Sequence, residues 1–207
     1  PQAIEVMLDP ADCGPACISL SQDVQGEVFD YPEEFFKERV HSIRRPRPDD
    51  YQIKKAAEAI KSSKNPIIIS GGGVFYSDAM VELSDFAKKH NIPVTQTVMG
   101  YSTMKRDHSH FLGPIGGLGG KAANNMAKKT DLAIAVGTKL ADFTTGSWAN
   151  FENPNFKLVS INAARFDANK HMAQAVVGDA KVSLSELSLV LGNWKAEDSW
   201  NKKAQLE

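Results

Sequence analysis

Three consecutive glycines, Gly71, Gly72 and Gly73, follow the apolar run Ile67-Ile68-Ile69, and a second glycine-rich stretch, "GPIGGLGGK", closes on Gly119, Gly120 and Lys121. Glycine lets a backbone approach another group with no Cβ in the way, and backbone amides presented like this can cradle a phosphate. The same freedom serves tight turns and the close packing of loops, so the glycines carry two readings. Lys121 would add a point charge to a phosphate cradle. Further along, "GTKLADFTTGSW" supplies Gly137 and Asp142, and "NAARFD" supplies Asn162 and Asp167. Either acid could accept hydrogen bonds from a ribose or an amide, or cap a following turn.

The familiar nucleotide fingerprints do not fit these glycines. G-x-G-x-x-G would need glycine at Tyr76, and the run "IPVTQTV" ends without the acid that would hold a ribose. A P-loop ending at Gly120-Lys121 would need glycine at Ile115 and Ser or Thr at Ala122. Asp107-His108-Ser109-His110 brings two imidazoles and a carboxylate together in sequence, but alternate side chains diverge in an extended loop and no third partner is evident. Cys13 and Cys17 stand alone and cannot close a four-ligand zinc site. Nucleophile elbows and paired-histidine metal motifs are absent, which leaves a ligand-capable chain with no visible machinery for a reaction.

Alternating periods supply the elements that must position these loops. In "DDYQIKKAAEAIKSS" the residues Ile53, Ala56, Ala57 and Ile60 share one helical face, with Asp49 or Asp50 placed to cap it. A buried strand at 66–70 follows, then a helix capped by Ser77 and carrying Met80, Leu83, Phe86 and Ala87. The strand "IPVTQ", a helix over 121–129, strands at 131–137, 157–162 and 175–178, and a helix over 180–191 complete the pattern. This order predicts an α/β domain: a doubly wound, mostly parallel sheet flanked by helices. In such a sheet ligands sit outside the carboxyl ends of the strands, where the glycine loops fall. Before the domain, Ala16 to Leu20 reads as a strand with no partner in sequence, and "RVHSIRRPRPDD" has linker composition.

Bulk composition narrows the partners. Twenty-four basic and 25 acidic residues leave a formal net charge of -1, which implies no attraction to nucleic acid. The longest apolar runs fall short of a membrane span and no signal peptide opens the chain, so a cytoplasmic protein is expected.

With these residues in view, the chain resembles thiamine-diphosphate-dependent enzymes of the acetolactate synthase type. "GPACISLSQDVQ" is similar to the closing strand of that family's pyrimidine-binding domain. "NPIIISGGGV", "AVGTKLADFTTGSW" and "VSINAARFDANKH" through "VVGD" are similar to successive strand-loop units of its Rossmann-like central domain. The resemblance covers residues 1–192 and divides the chain into a pyrimidine-domain remnant (1–30), a linker (31–50), a central domain (51–192) and a linker toward a missing diphosphate-binding domain (193–207). Within the family, "ADCGPACISLSQDVQGEVFDYPEEFF" with "DFTTGSWANF" is most similar to the branch that hydrolyses a carbon-carbon bond of a cyclic 1,2-dione in myo-inositol catabolism.

That resemblance implies a parent acting on a small-molecule substrate as a homo-oligomer, a dimer or tetramer, with thiamine diphosphate and magnesium held outside these residues. Gly178-Asp179 is followed by Ala180 rather than glycine, no asparagine pair comes after it, and the activating glutamate lies in a part of the first domain not included here. The fragment alone is expected to be inactive. Central domains of the family hold FAD or ADP in some members and nothing in others, which makes Gly71, Gly72, Gly73, Gly119, Gly120, Lys121, Gly137, Asp142 and Asn162 the residues of a vestigial nucleotide crevice. Asn162 stands where nucleotide-binding members carry an acid toward the ribose. An acetolactate synthase-like enzyme or oxo-acid decarboxylase, and a non-catalytic nucleotide-binding or scaffold module, are the alternatives.

Overall fold

The computed structural model describes residues 1–207, which fall into two compact units, Pro1–Arg44 and Arg45–Glu207. The first holds one helix, α1 (Gln2–Leu8), which buries no residue, and two short 3-10 turns. Cys13 and Cys17 are free and exposed. The expected strand at Ala16 to Leu20 does not form: the segment has no secondary structure, and Ile18 and Leu20 are exposed. A strand needs a neighbour to take its amides and carbonyls, and this unit supplies none. Phe29, Tyr31, Phe35 and Phe36 cluster instead, with adjacent ring centroids 4.9–5.3 Å apart.

The second unit is built on a six-stranded parallel sheet. Its strands are β1 (Pro66–Ser70), β2 (Val94–Gln96), β3 (Phe111–Pro114), β4 (Leu132–Val136), β5 (Lys157–Asn162) and β6 (Gln174–Val177), ordered β3-β2-β1-β4-β5-β6. Every pairing is parallel, with Ile68 beside Ile134 and Val94 and Ile134 beside Val159. Strand order reverses between β1 and β4, the switch point at which doubly wound sheets open a crevice. β3 escaped the sequence pattern because it is only four residues long, half-exposed, and ends in Gly-Pro.

Side-chain alternation splits the core into two layers. Ile68, Val94, Ile134, Val159, Ile161 and Val176 point to one face, where α2 (Asp50–Ser62), α4 (Met80–His90) and α8 (Ala180–Leu191) cover them. Ile67, Ile69, Ala133, Ala135 and Leu158 point to the other, against α5 (Lys121–Lys129) and α9 (Asp198–Leu206). Each fully buried Ile or Leu contributes roughly 1.5–3 kcal/mol by area. α2 buries the four residues its period marked, and Asp49 accepts from Tyr51 N at 2.8 Å to cap it.

Two local expectations change. Ser77 does not cap α4; it closes the short helix α3 (Gly72–Tyr76), and its Oγ accepts from Ala180 N at 3.3 Å. Residues 193–207, read as a linker, carry α9, whose Trp200 is buried and donates from Nε1 to the Pro66 carbonyl at 2.8 Å. The proline-rich segment is engaged as well: the Arg45 guanidinium meets Asp179 at 3.0 Å and also donates to the Ser77 carbonyl.

Candidate functional site

The carboxyl edge of the sheet brings most of the expected residues to one end of the unit. Gly71 to Gly73 leave β1, Gly137 leaves β4 and Asn162 ends β5, so these meet around the switch point. Gly119, Gly120 and Lys121 follow β3, which lies at the sheet's margin, two strands from β1. Asp142 sits in the first turn of α6 (Asp142–Thr145), exposed, as is Lys121.

At the switch point the loops touch backbone to backbone. Gly71 N donates to the Val136 carbonyl at 2.8 Å, Gly73 N to the Gly137 carbonyl at 2.9 Å, and Gly137 N to the Ile161 carbonyl at 2.8 Å. A Cβ on Gly73 would lie 2.6 Å from Gly137 Cα, and one on Gly71 would lie 2.5 Å from Thr138 Cβ. Of the two readings of these glycines, close packing is the one the geometry displays. Gly137 also takes a positive φ of 60°, which turns the chain out of β4.

Asn162 ties two loops together. Its Oδ1 accepts from Ala164 N at 3.0 Å and its Nδ2 donates to the Thr138 carbonyl at 3.4 Å. Asp167, nearby on α7 (Arg165–Ala168), is buried and paired with Lys170 at 2.6 Å, with Lys139 at 3.8 Å. In the β3 loop, Asn124 holds Gly116 from both sides, accepting from its N at 3.0 Å and donating to its O at 3.1 Å. No sequence motif marks Asn124; its task depends on the helix register that returns it to the loop.

The histidines act as packing groups. His110 Nε2 donates to Asn91 Oδ1 at 3.1 Å, while the His110 amide donates to His108 Nδ1 at 3.2 Å. His90, which sequence reasoning passed over, is buried beneath α8, with Nδ1 donating to the Trp194 carbonyl at 2.7 Å and Nε2 accepting from Ser188 Oγ at 3.1 Å. Burial pushes the His90 pKa below its ordinary value, reinforced by Lys89 and Lys195 and opposed by the Trp194 bond. No three His, Cys, Asp or Glu side chains come together to hold a metal.

Comparison with known proteins follows this geometry. Residues 53–187 match the family model of the thiamine pyrophosphate enzyme, central domain. The chain belongs to that central-domain family. Among curated relatives, a 3D-(3,5/4)-trihydroxycyclohexane-1,2-dione hydrolase of Clostridium perfringens is 46% identical over 198 residues, covering 96% of this chain and 31% of the relative. The Bacillus subtilis protein of the same name is 45% identical over 196 residues, again 95% of this chain and 31% of the relative. This central domain and its flanks thus span about a third of the length of the relatives they match. A solved Mycobacterium smegmatis structure, of a protein assigned to the thiamin diphosphate-dependent enzymes, shares the fold at TM-score 0.61 and 22% identity, covering 77% of this chain and 31% of that one.

The acid of the Gly-Asp pair is committed within the protein rather than to the metal of the family's cofactor. Asp179 is the acid of the Gly-Asp pair, and it is buried as the N-cap of α8. Its Oδ1 accepts from Lys181 N at 3.0 Å and Val182 N at 3.3 Å, and its Oδ2 faces Arg45. Most of this carboxylate's acceptor capacity is thus taken by donors of the protein itself. No helix is long and apolar enough to cross a membrane.

Proposed function

We propose that this chain supplies the central domain of a thiamine-diphosphate-dependent hydrolase that opens a carbon-carbon bond in a cyclic 1,2-dione, as in myo-inositol catabolism. The observation that carries the reading is the 46% identity, sustained across 96% of the chain, to proteins named for that activity. Thiamine diphosphate and magnesium would be bound by parts of the parent outside these residues, since Asp179 is engaged as a helix cap. The domain's contribution is then mechanical. Its parallel sheet, covered on both faces, forms a stable core and supplies no reacting group.

The test is direct. The purified 207-residue chain, supplied with thiamine diphosphate, magnesium and the cyclic dione, should consume no substrate beyond a heat-inactivated control. Turnover that depends on added thiamine diphosphate would overturn the reading.

A further inference from the structure

The switch point of a doubly wound sheet is where a nucleotide would bind, and the sheet edge here has that topology. We infer that the switch-point crevice of this domain is closed by its own backbone and takes neither an adenine dinucleotide nor a nucleoside diphosphate. The inference does not rest on the proposed hydrolysis.

The decisive group is the Gly137 carbonyl. It accepts from Gly73 N at 2.9 Å, at the first turn of α3, so that amide is already taken by a backbone oxygen and is not free for a phosphate. A carbonyl oxygen carries partial negative charge and satisfies that amide as an anion would. Gly71 N and Gly137 N are engaged by the Val136 and Ile161 carbonyls. α3 has five residues, too short for its aligned dipoles to attract an anion strongly. The 2.6 Å approach between a built Gly73 Cβ and Gly137 Cα shows that even a methyl group finds no room there.

The side chains at the end of β5 and on α7 are engaged in the same way, whereas the buried Gln96 Oε1 at the end of β2 has no partner. Asn162 gives both side-chain atoms to Ala164 and Thr138, and Asp167 is neutralised by Lys170 and Lys139, so no free acid faces a ribose. In the β3 loop, Gly116 N goes to Asn124 Oδ1, Gly117 N to the Phe143 carbonyl, Gly119 N to the Gly116 carbonyl and Gly120 N to the Pro114 carbonyl. α5 lacks a side-chain cap, but it starts after β3, two strands from the switch point.

Calorimetric titration of the 207-residue chain with ADP, FAD and NAD, up to about 1 mM at the weak end of the binding scale, reads the inference with amide NMR as the locator. No saturable heat, or binding that leaves the Gly71 to Gly73 and Gly137 amides unshifted, supports closure. Saturable binding that shifts those amides overturns it. Asn162→Asp provides an independent arm, because it sets a carboxylate at the end of β5, the group a ribose would need. Closure predicts no gain in ADP affinity, with folding confirmed by circular dichroism. A gain of about tenfold or more in a folded variant would show that the loops still form a site.

Discussion

At the residue scale, the polar groups of the sequence motifs are matched to partners within the unit, although five other buried side-chain atoms, among them Gln96 Oε1 at the end of β2, have none. Asp179 caps α8 and pairs with Arg45, Asn124 grips Gly116, and Asn162 joins two loops. The buried histidines follow the same logic and carry a pH signature. His90 and His110 both have pKa values lowered from 6.5, chiefly by burial, with lysines and, for His110, the neighbouring His108 adding to the effect. A folded value below the unfolded one means that the neutral ring is favoured in the native state. The stability this brings is full above pH 6.5 and is lost as pH falls through the folded values. Thermal melts should therefore show the midpoint dropping between about pH 7 and about pH 5, a range where few other side chains titrate. His90→Gln should make that decline shallower. A midpoint that stays flat over this interval would contradict the assignment of neutral, buried rings.

At the element scale, apolar period was a sound guide wherever a helix or strand is buried by its own residues. The run Ile67-Ile68-Ile69 and the face Ile53-Ala56-Ala57-Ile60 needed no further information, because full burial on both sheet faces and a single helical stripe each leave a distinct pattern. The pattern failed where the surroundings decide. Ala16 to Leu20 has strand composition but no neighbour, and β3 is short and half-exposed. α9 hides in a polar sequence, since Trp200 and Ala204 carry nearly all of its apolar contact and Asn201 is buried beside them. α9 can be tested as part of the core. Trp200→Phe keeps most of the buried ring but leaves the Pro66 carbonyl without its donor, which costs about 1–3 kcal/mol. Urea denaturation should show that loss, and an unchanged midpoint would mean that α9 does not contribute to the unit's stability.

At the scale of the whole molecule, the sheet order was legible in kind and the candidate site only in place. Alternation of strand and helix predicted a mostly parallel doubly wound sheet, and the sheet is parallel throughout. The glycines were correctly placed at its carboxyl edge, but whether they face a phosphate or each other depends on where the Gly137 carbonyl points, which no spacing encodes. The absence of catalytic motifs becomes intelligible once the chain is seen to span about a third of its relatives' length. The proposed function makes this domain an interchangeable structural part of a dione hydrolase. The most direct measurement replaces the aligned segment of the Bacillus subtilis relative, matched over 196 residues, with this chain and follows consumption of the cyclic dione. Thiamine-dependent hydrolysis within about tenfold of the unmodified enzyme, equivalent to about 1.4 kcal/mol of barrier, is the expected result. A chimera that folds and assembles like the unmodified enzyme but does not hydrolyse the dione would contradict it.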